Sequence, residues 1–153
     1  MYSSKDIKVI KAKDAIKKRP EMYFGSRGIN AESICCYVAE GALILGAKET
    51  KIVQKDGWWF ICADYDWMKK ETAIPEVNEN TLFESIYGFP EMGQNCFRWE
   101  ALTKYFSDAT LTTTNSETKL LSGSSTDRNE YESILGSIGN WGRVIGFRFN
   151  KNA

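Results

Sequence analysis

Apolar residues recur along this chain with two periods, and the switches between them mark out its elements. The first stretch of helical composition, residues 12–18 (AKDAIKK), must stop near Arg19, because Pro20 disfavours helical backbone in the residue before it. A second helix is predicted over residues 31–46. There Ile34, Val38, Gly41 and Leu45 fall on one face, Asn30 stands at the N-cap position and Gly46 suits the C-terminus. The period then shortens to two. TKIVQ (50–54) and WWFICAD (58–64) flank Lys55-Asp56-Gly57, where Asp-Gly supplies the positive-φ positions of a tight hairpin turn.

Residues 69–80 read as loop around Pro75. TLFESIYGF (81–89) and FRWEALTKYF (97–106) space Leu82, Phe83 and Ile86, then Trp99, Leu102 and Phe106, as helices would. ATLTTT and TKLLS about Asn115-Ser116-Glu117 predict a second hairpin, NEYESILGSI a short helix, and GRVIGFRFN a closing strand. The order α-α-β-β-α-α-β-β-α-β, with hairpins in place of strict βαβ units, predicts an α+β fold with helices packed on one face of a mostly antiparallel sheet.

No repeat, low-complexity tract or linker interrupts the 153 residues, so the expectation is a single domain over 1–153, long enough to bury a hydrophobic core. No run approaches the ~18 consecutive apolar residues that would mark a bilayer span. The first twenty residues contain no apolar signal-peptide core, so a cytoplasmic protein is expected. Four cysteines without a CxxC spacing read as reduced thiols.

The charges sum to zero but are segregated. Residues 1–28 carry eight Lys/Arg against three Asp/Glu, whereas residues 29–100 carry six against twelve. A neutral total argues against general nucleic-acid binding, and an acidic middle would suit a partner with a basic surface.

Candidate chemistry is sparse. The absence of histidine removes His-dependent nucleophilic sites, imidazole bases and His-containing zinc sites. Cys35 and Cys36 are adjacent on one helix and point about 100° apart, which disfavours an all-thiolate zinc site. None of GxxxxGK[ST], GxGxxG or GxSxG occurs. Asp64 and Asp66 fall two apart at a predicted strand end, on one face, and Glu71 or Glu76 could join them only through the following loop. An acidic strand end facing water is the plainer reading of that cluster. Trp67 among these carboxylates, with Trp58 and Trp59 on the adjoining strand, also has the composition of an aromatic anchor ringed by acids.

One segment is more specific. Ala15-Ile16-Lys17-Lys18-Arg19-Pro20-Glu21-Met22-Tyr23-Phe24-Gly25 resembles the N-terminal signature of the DNA gyrase B subunit and its topoisomerase relatives, whose ATPase domain is of the GHKL class. Residues 97–121 resemble that family's helix-then-hairpin after its nucleotide lid, and Gly142-Arg143-Val144-Ile145-Gly146-Phe147 resembles its GTxVxF strand. The resemblance implies a reduced GHKL-type fold. In this chain the Arg19–Gly25 segment is expected to be structural, with Met22 and Tyr23 packed against the sheet or second helix.

The family's nucleotide site does not carry over. Its water-polarising Glu and magnesium-holding Asn would fall at Ile34 and Val38, and no Asn occurs from residue 31 to 77. Its adenine-binding DGxGI becomes Asp64-Tyr65-Asp66-Trp67-Met68, with aromatic rings where the glycines would be. Its glycine-rich lid would fall at residues 88–94, which keep two glycines and gain Glu91.

The sequence therefore leads to the expectation of a non-catalytic protein-binding domain without cofactor or metal, suited to an immunity or inhibitor protein for a basic toxin such as a nuclease. Asp64, Asp66, Trp67, Glu71 and Glu76 are the candidate partner-binding residues. A surviving ATP-binding or ATP-hydrolysing domain with rearranged ligands, and a decoy that engages gyrase, are the alternatives.

Overall fold

The computed structural model describes residues 11–70, 77–88, 96–114 and 117–153. Helix α1 (Ala12–Lys18) ends where Pro20 requires, and a short α2 (Glu21–Phe24) starts directly after that proline. Helix α3 (Ala31–Ile44) is capped as expected, with the Ser33 amide donating to Asn30 Oδ1 at 2.8 Å. Strands β1 (Thr50–Lys55) and β2 (Trp58–Ala63) form an antiparallel hairpin in which Lys55 faces Trp58. Its two-residue turn has φ of 53° at Asp56 and 85° at Gly57, which the Asp-Gly pair accommodates with little strain.

The stretch between the hairpins differs from its predicted helices. Residues Thr81–Phe83 make one 3-10 turn, after which β3 (Tyr87–Gly88) pairs with β4 (Phe97–Arg98). Only α4 (Leu102–Tyr105) of the second expected helix is helical. Strands β5 (Ser107–Thr113) and β6 (Thr118–Ser122) follow, then α5 (Arg128–Ile138) and β7 (Arg143–Phe149). Asn115 and Ser116, two residues of the predicted turn between β5 and β6, lie outside the described residues.

The main sheet has the order β1-β2-β7-β5-β6, and all of its neighbouring pairs are antiparallel. The fold is α+β, but its helices are not confined to one face. Ile61 and Ala63 of β2 and Ile145 and Phe147 of β7 pack with Ile34, Val38 and Ala42 of α3. The alternate residues Trp58, Phe60 and Cys62 pack with Tyr131 and Ile134 of α5 on the opposite side. The physical reason is the composition of β2. Its successive residues are all large or apolar, so both faces need cover, and α5 supplies the second layer.

Trp58 belongs to that second layer. It is fully buried, donates from Nε1 to Glu130 Oε1 at 2.8 Å, and carries the Arg148 guanidinium 5.6 Å from its ring centre. No helix among the described residues is long and apolar enough to cross a membrane.

Candidate functional site

Among the described residues singled out by sequence, Ile34 and Val38 lie on α3, Asp64 and Asp66 just after the end of β2, and Trp67 in the turn that follows. Ile34 and Val38 of α3 are 0% and 1% exposed and form part of the core against the sheet. Their side chains supply neither a proton acceptor nor a metal ligand, so these positions do not fit the magnesium–nucleotide chemistry that the resemblance would require.

Strand β2 ends at Ala63, so Asp64 and Asp66 do not share a strand face as expected. The Asp64 Oδ1 atom accepts the backbone amides of Lys48 at 2.9 Å and Glu49 at 3.2 Å, tying the start of β1 to the end of β2. The Glu49 amide, with that of Lys48 assisting against the opposing effect of burial, holds the Asp64 carboxyl below its ordinary range. A Cβ added to Gly142 would sit 2.7 Å from the Asp64 carbonyl oxygen, so β7 enters the sheet by a close backbone approach that suits glycine alone.

Asp66 points elsewhere. It receives two hydrogen bonds from Arg143, which also donates from Nη1 to Glu79 at 2.7 Å and to Thr112 at 2.9 Å. Burial would raise Glu79, but the Arg143 hydrogen bond and charge, with help from Lys119 and Lys69, hold it below its ordinary range. This cation joins three segments that are distant in sequence. Its signal was present: in RVIGFRF, Arg143 has the same inward register as Ile145 and Phe147, and a buried charge there requires partners.

Trp67, a candidate partner-binding residue whose alternative was a place in the core, is 0% exposed and takes the core position. A 3-10 turn (Trp67–Lys69) inserts its ring into the core, where Nε1 donates to Glu100 Oε1 at 2.8 Å. Arg98 donates to the same oxygen from Nε at 2.9 Å and Nη2 at 2.7 Å. The indole thus closes a buried ion pair and does not present an aromatic surface at this position. Trp58 is likewise internal, whereas Trp59 is only partly buried against the core. Tyr65 lies half-exposed beside Gly46.

The acidic belt is largely satisfied from within. Glu79 also pairs with Lys119 and Glu84 with Lys104, so each described acid between residues 64 and 91 (Asp64, Asp66, Glu79 and Glu84) has an intramolecular partner. Glu71, Glu76 and Glu91 lie outside the described residues, as do residues 89–94 of the segment likened to a phosphate lid. Among the described residues, no group of three or more Cys, Asp or Glu side chains is arranged to hold a metal ion.

The sequence reading missed a cleft on the outer side of α3. Tyr37, Glu40, Gly41 and Ile44 line it from the helix, and Cys96, Phe97 and Trp99 from β4 and its flanks, enclosing about 210 Å³. Its only sequence signal is Leu43-Ile44, an apolar pair that departs from the inward stripe of α3. A scan against protein-family models finds no match to this chain, and a search of curated proteins finds none either.

Proposed function

We propose that this chain is a non-catalytic protein-binding domain of degenerate GHKL type, acting in the cytoplasm as an immunity or inhibitor protein for a basic toxin such as a nuclease. The observation that carries the non-catalytic part is the burial of Ile34 and Val38, the positions where a gyrase-B-like ATPase would need its base and its magnesium ligand. The engagement of Asp64 by two backbone amides supports the same reading, since a carboxylate holding the β1–β2 junction has less capacity for adenine. The basic partner is supported by the excess of carboxylates over residues 29–100.

Two experiments test this reading. Calorimetric titration of the full chain with magnesium-ATP should give no binding heat, and a micromolar dissociation constant would instead favour an ATP-binding domain. Affinity capture, followed by reconstitution with each purified candidate, should yield a partner with a basic surface whose association weakens as salt rises. A decoy function is favoured by one further observation. Met22, within the gyrase-like segment, is 70% exposed, so that segment presents an apolar side chain to solvent. Direct binding to a purified gyrase subunit, lost in Met22→Glu, would establish the decoy in place of toxin inhibition.

A further inference from the structure

We propose that the cleft between α3 and β4 is the docking groove for a basic amphipathic segment of the partner protein. Phe97 and Ile44 receive its apolar side chains, and Glu40 meets its lysine or arginine. This inference rests on the protein-binding reading above and deepens it by locating the interface.

The floor of the groove is rigid because it continues the core. Phe24 lies 5.9 Å from Tyr37, Tyr37 lies 5.7 Å from Trp99, and Trp99 lies 5.8 Å from Phe97, all measured between ring centres. This line of rings runs from a buried Phe24 to Phe97, which is 42% exposed. The Tyr37 hydroxyl donates to the Tyr23 carbonyl at 2.5 Å, which fixes the middle of the row. A binding surface whose rotamers are set in advance loses little entropy when a partner arrives.

The size of the cleft favours side chains over a cofactor. About 210 Å³ is below the ~300–1,000 Å³ typical of small-molecule pockets, and it suits one or two inserted side chains. Leu43 and Ile44 extend the exposed apolar area beside it.

Charge identifies the class of partner. Helix α3 contains no Lys or Arg, and its two acids, Glu32 and Glu40, are both exposed. Glu32 has only a distant contact with Arg27 at 4.0 Å between exposed groups, and Glu40 makes no ion pair among the described residues. Asp64, Asp66, Glu79 and Glu84 already have partners within the chain. Glu40 therefore offers uncompensated negative charge at the edge of an apolar cleft, and a lysine or arginine next to apolar side chains is its complement.

The test is a titration of the isotope-labelled full chain with two synthetic helical peptides, followed by nuclear magnetic resonance. Both peptides carry the same leucine face, one with a lysine polar face and the other with glutamate. The lysine peptide should shift the amide signals of residues 37–44 and 96–99 and bind roughly tenfold tighter than the glutamate peptide. Phe97→Ala should weaken the lysine peptide about tenfold, and Glu40→Lys should remove its advantage. Glu40→Lys, at an exposed side chain, should keep the wild-type thermal midpoint, and Phe97→Ala, which gives up the contact with Trp99, should lower it only modestly.

Equal affinity for the two peptides, shifts confined to other surfaces, or absence of binding would overturn the proposal. Concentration-dependent self-association through Phe97 would overturn it in favour of a dimer contact. The broader reading fails separately: magnesium-ATP binding in the calorimeter would remove the non-catalytic domain whatever the peptides do.

Discussion

Arg143 grips both carboxylate oxygens of Asp66, with Nε 2.8 Å from Oδ1 and Nη2 2.9 Å from Oδ2, although 77 residues separate them in sequence. The Arg143 side chain is 1% exposed and that of Asp66 20%. Removing the cation strands two partly buried acids, whereas removing one acid leaves the cation its second. Arg143→Ala should therefore cost about 3–5 kcal/mol of unfolding free energy. Asp66→Asn should cost less, about 1–3 kcal/mol, because Glu79 and Thr112 still accept from the guanidinium. Urea denaturation measures both, and equal losses would mean that Glu79 does not share the charge.

Within the gyrase-like segment, neighbouring residues should behave oppositely. Met22 was expected to pack inward, yet it is the most exposed large apolar side chain described, while Phe24 two positions on is 6% exposed. The one-turn helix α2 accounts for this, since it turns Phe24 toward α3 and leaves Met22 on the outer side. Met22→Ala should change stability by less than about 0.5 kcal/mol. Phe24→Ala should cost about 3–5 kcal/mol. A large loss at Met22 would show that this side chain is covered in solution, as by a second molecule.

Asp64 should make stability depend on pH in the acid range. Its folded carboxyl lies below the ordinary value of 3.8, first through the Glu49 amide and then, past the opposing effect of burial, through that of Lys48. A depressed carboxyl contributes stability that is complete above the unfolded value and disappears as pH falls through the folded one. The stability gap between the wild type and Asp64→Asn should thus be widest near about pH 6 and narrow at about pH 3. Thermal midpoints of the two proteins at those conditions provide the measurement. A gap independent of pH would mean that the carboxylate's charge contributes nothing to this junction.

Where one element follows one period, the chain could be read directly. Asn30 and Gly46 bracket α3, and Asp56-Gly57 marks its hairpin. Residues 81–106 could not be read this way, because Leu82, Phe83 and Ile86 match helical spacing over little more than a turn. The pairing of Tyr87 with Arg98 across the intervening chain is a tertiary choice that local spacing does not encode. The second buried face of β2 was visible in the unbroken run WWFICA, which does not alternate as a one-sided strand would. Trp67 misled for a different reason. Its neighbours Asp64, Asp66, Lys69 and Lys70 are polar, so only the 3-10 turn and Glu100 reveal that the ring is turned inward. The cleft beside α3 joins residues 37–44 to 96–99, and nothing short of the fold brings those stretches together.

The position of β7 governs when this fold can form. The β1–β2 and β5–β6 hairpins can each close from contiguous chain, but they meet only through residues 143–149, which lie between them in the sheet. Most of the sheet's long-range closure is therefore deferred to one late strand, a topology associated with slow folding. Until that strand arrives, β2 and β5 each expose an open apolar edge able to pair with another chain. During refolding the two hairpins must wait unjoined until that strand docks between them, so recovery from urea should fall as protein concentration is raised, and more steeply in a variant that weakens β7, such as Phe147→Ala.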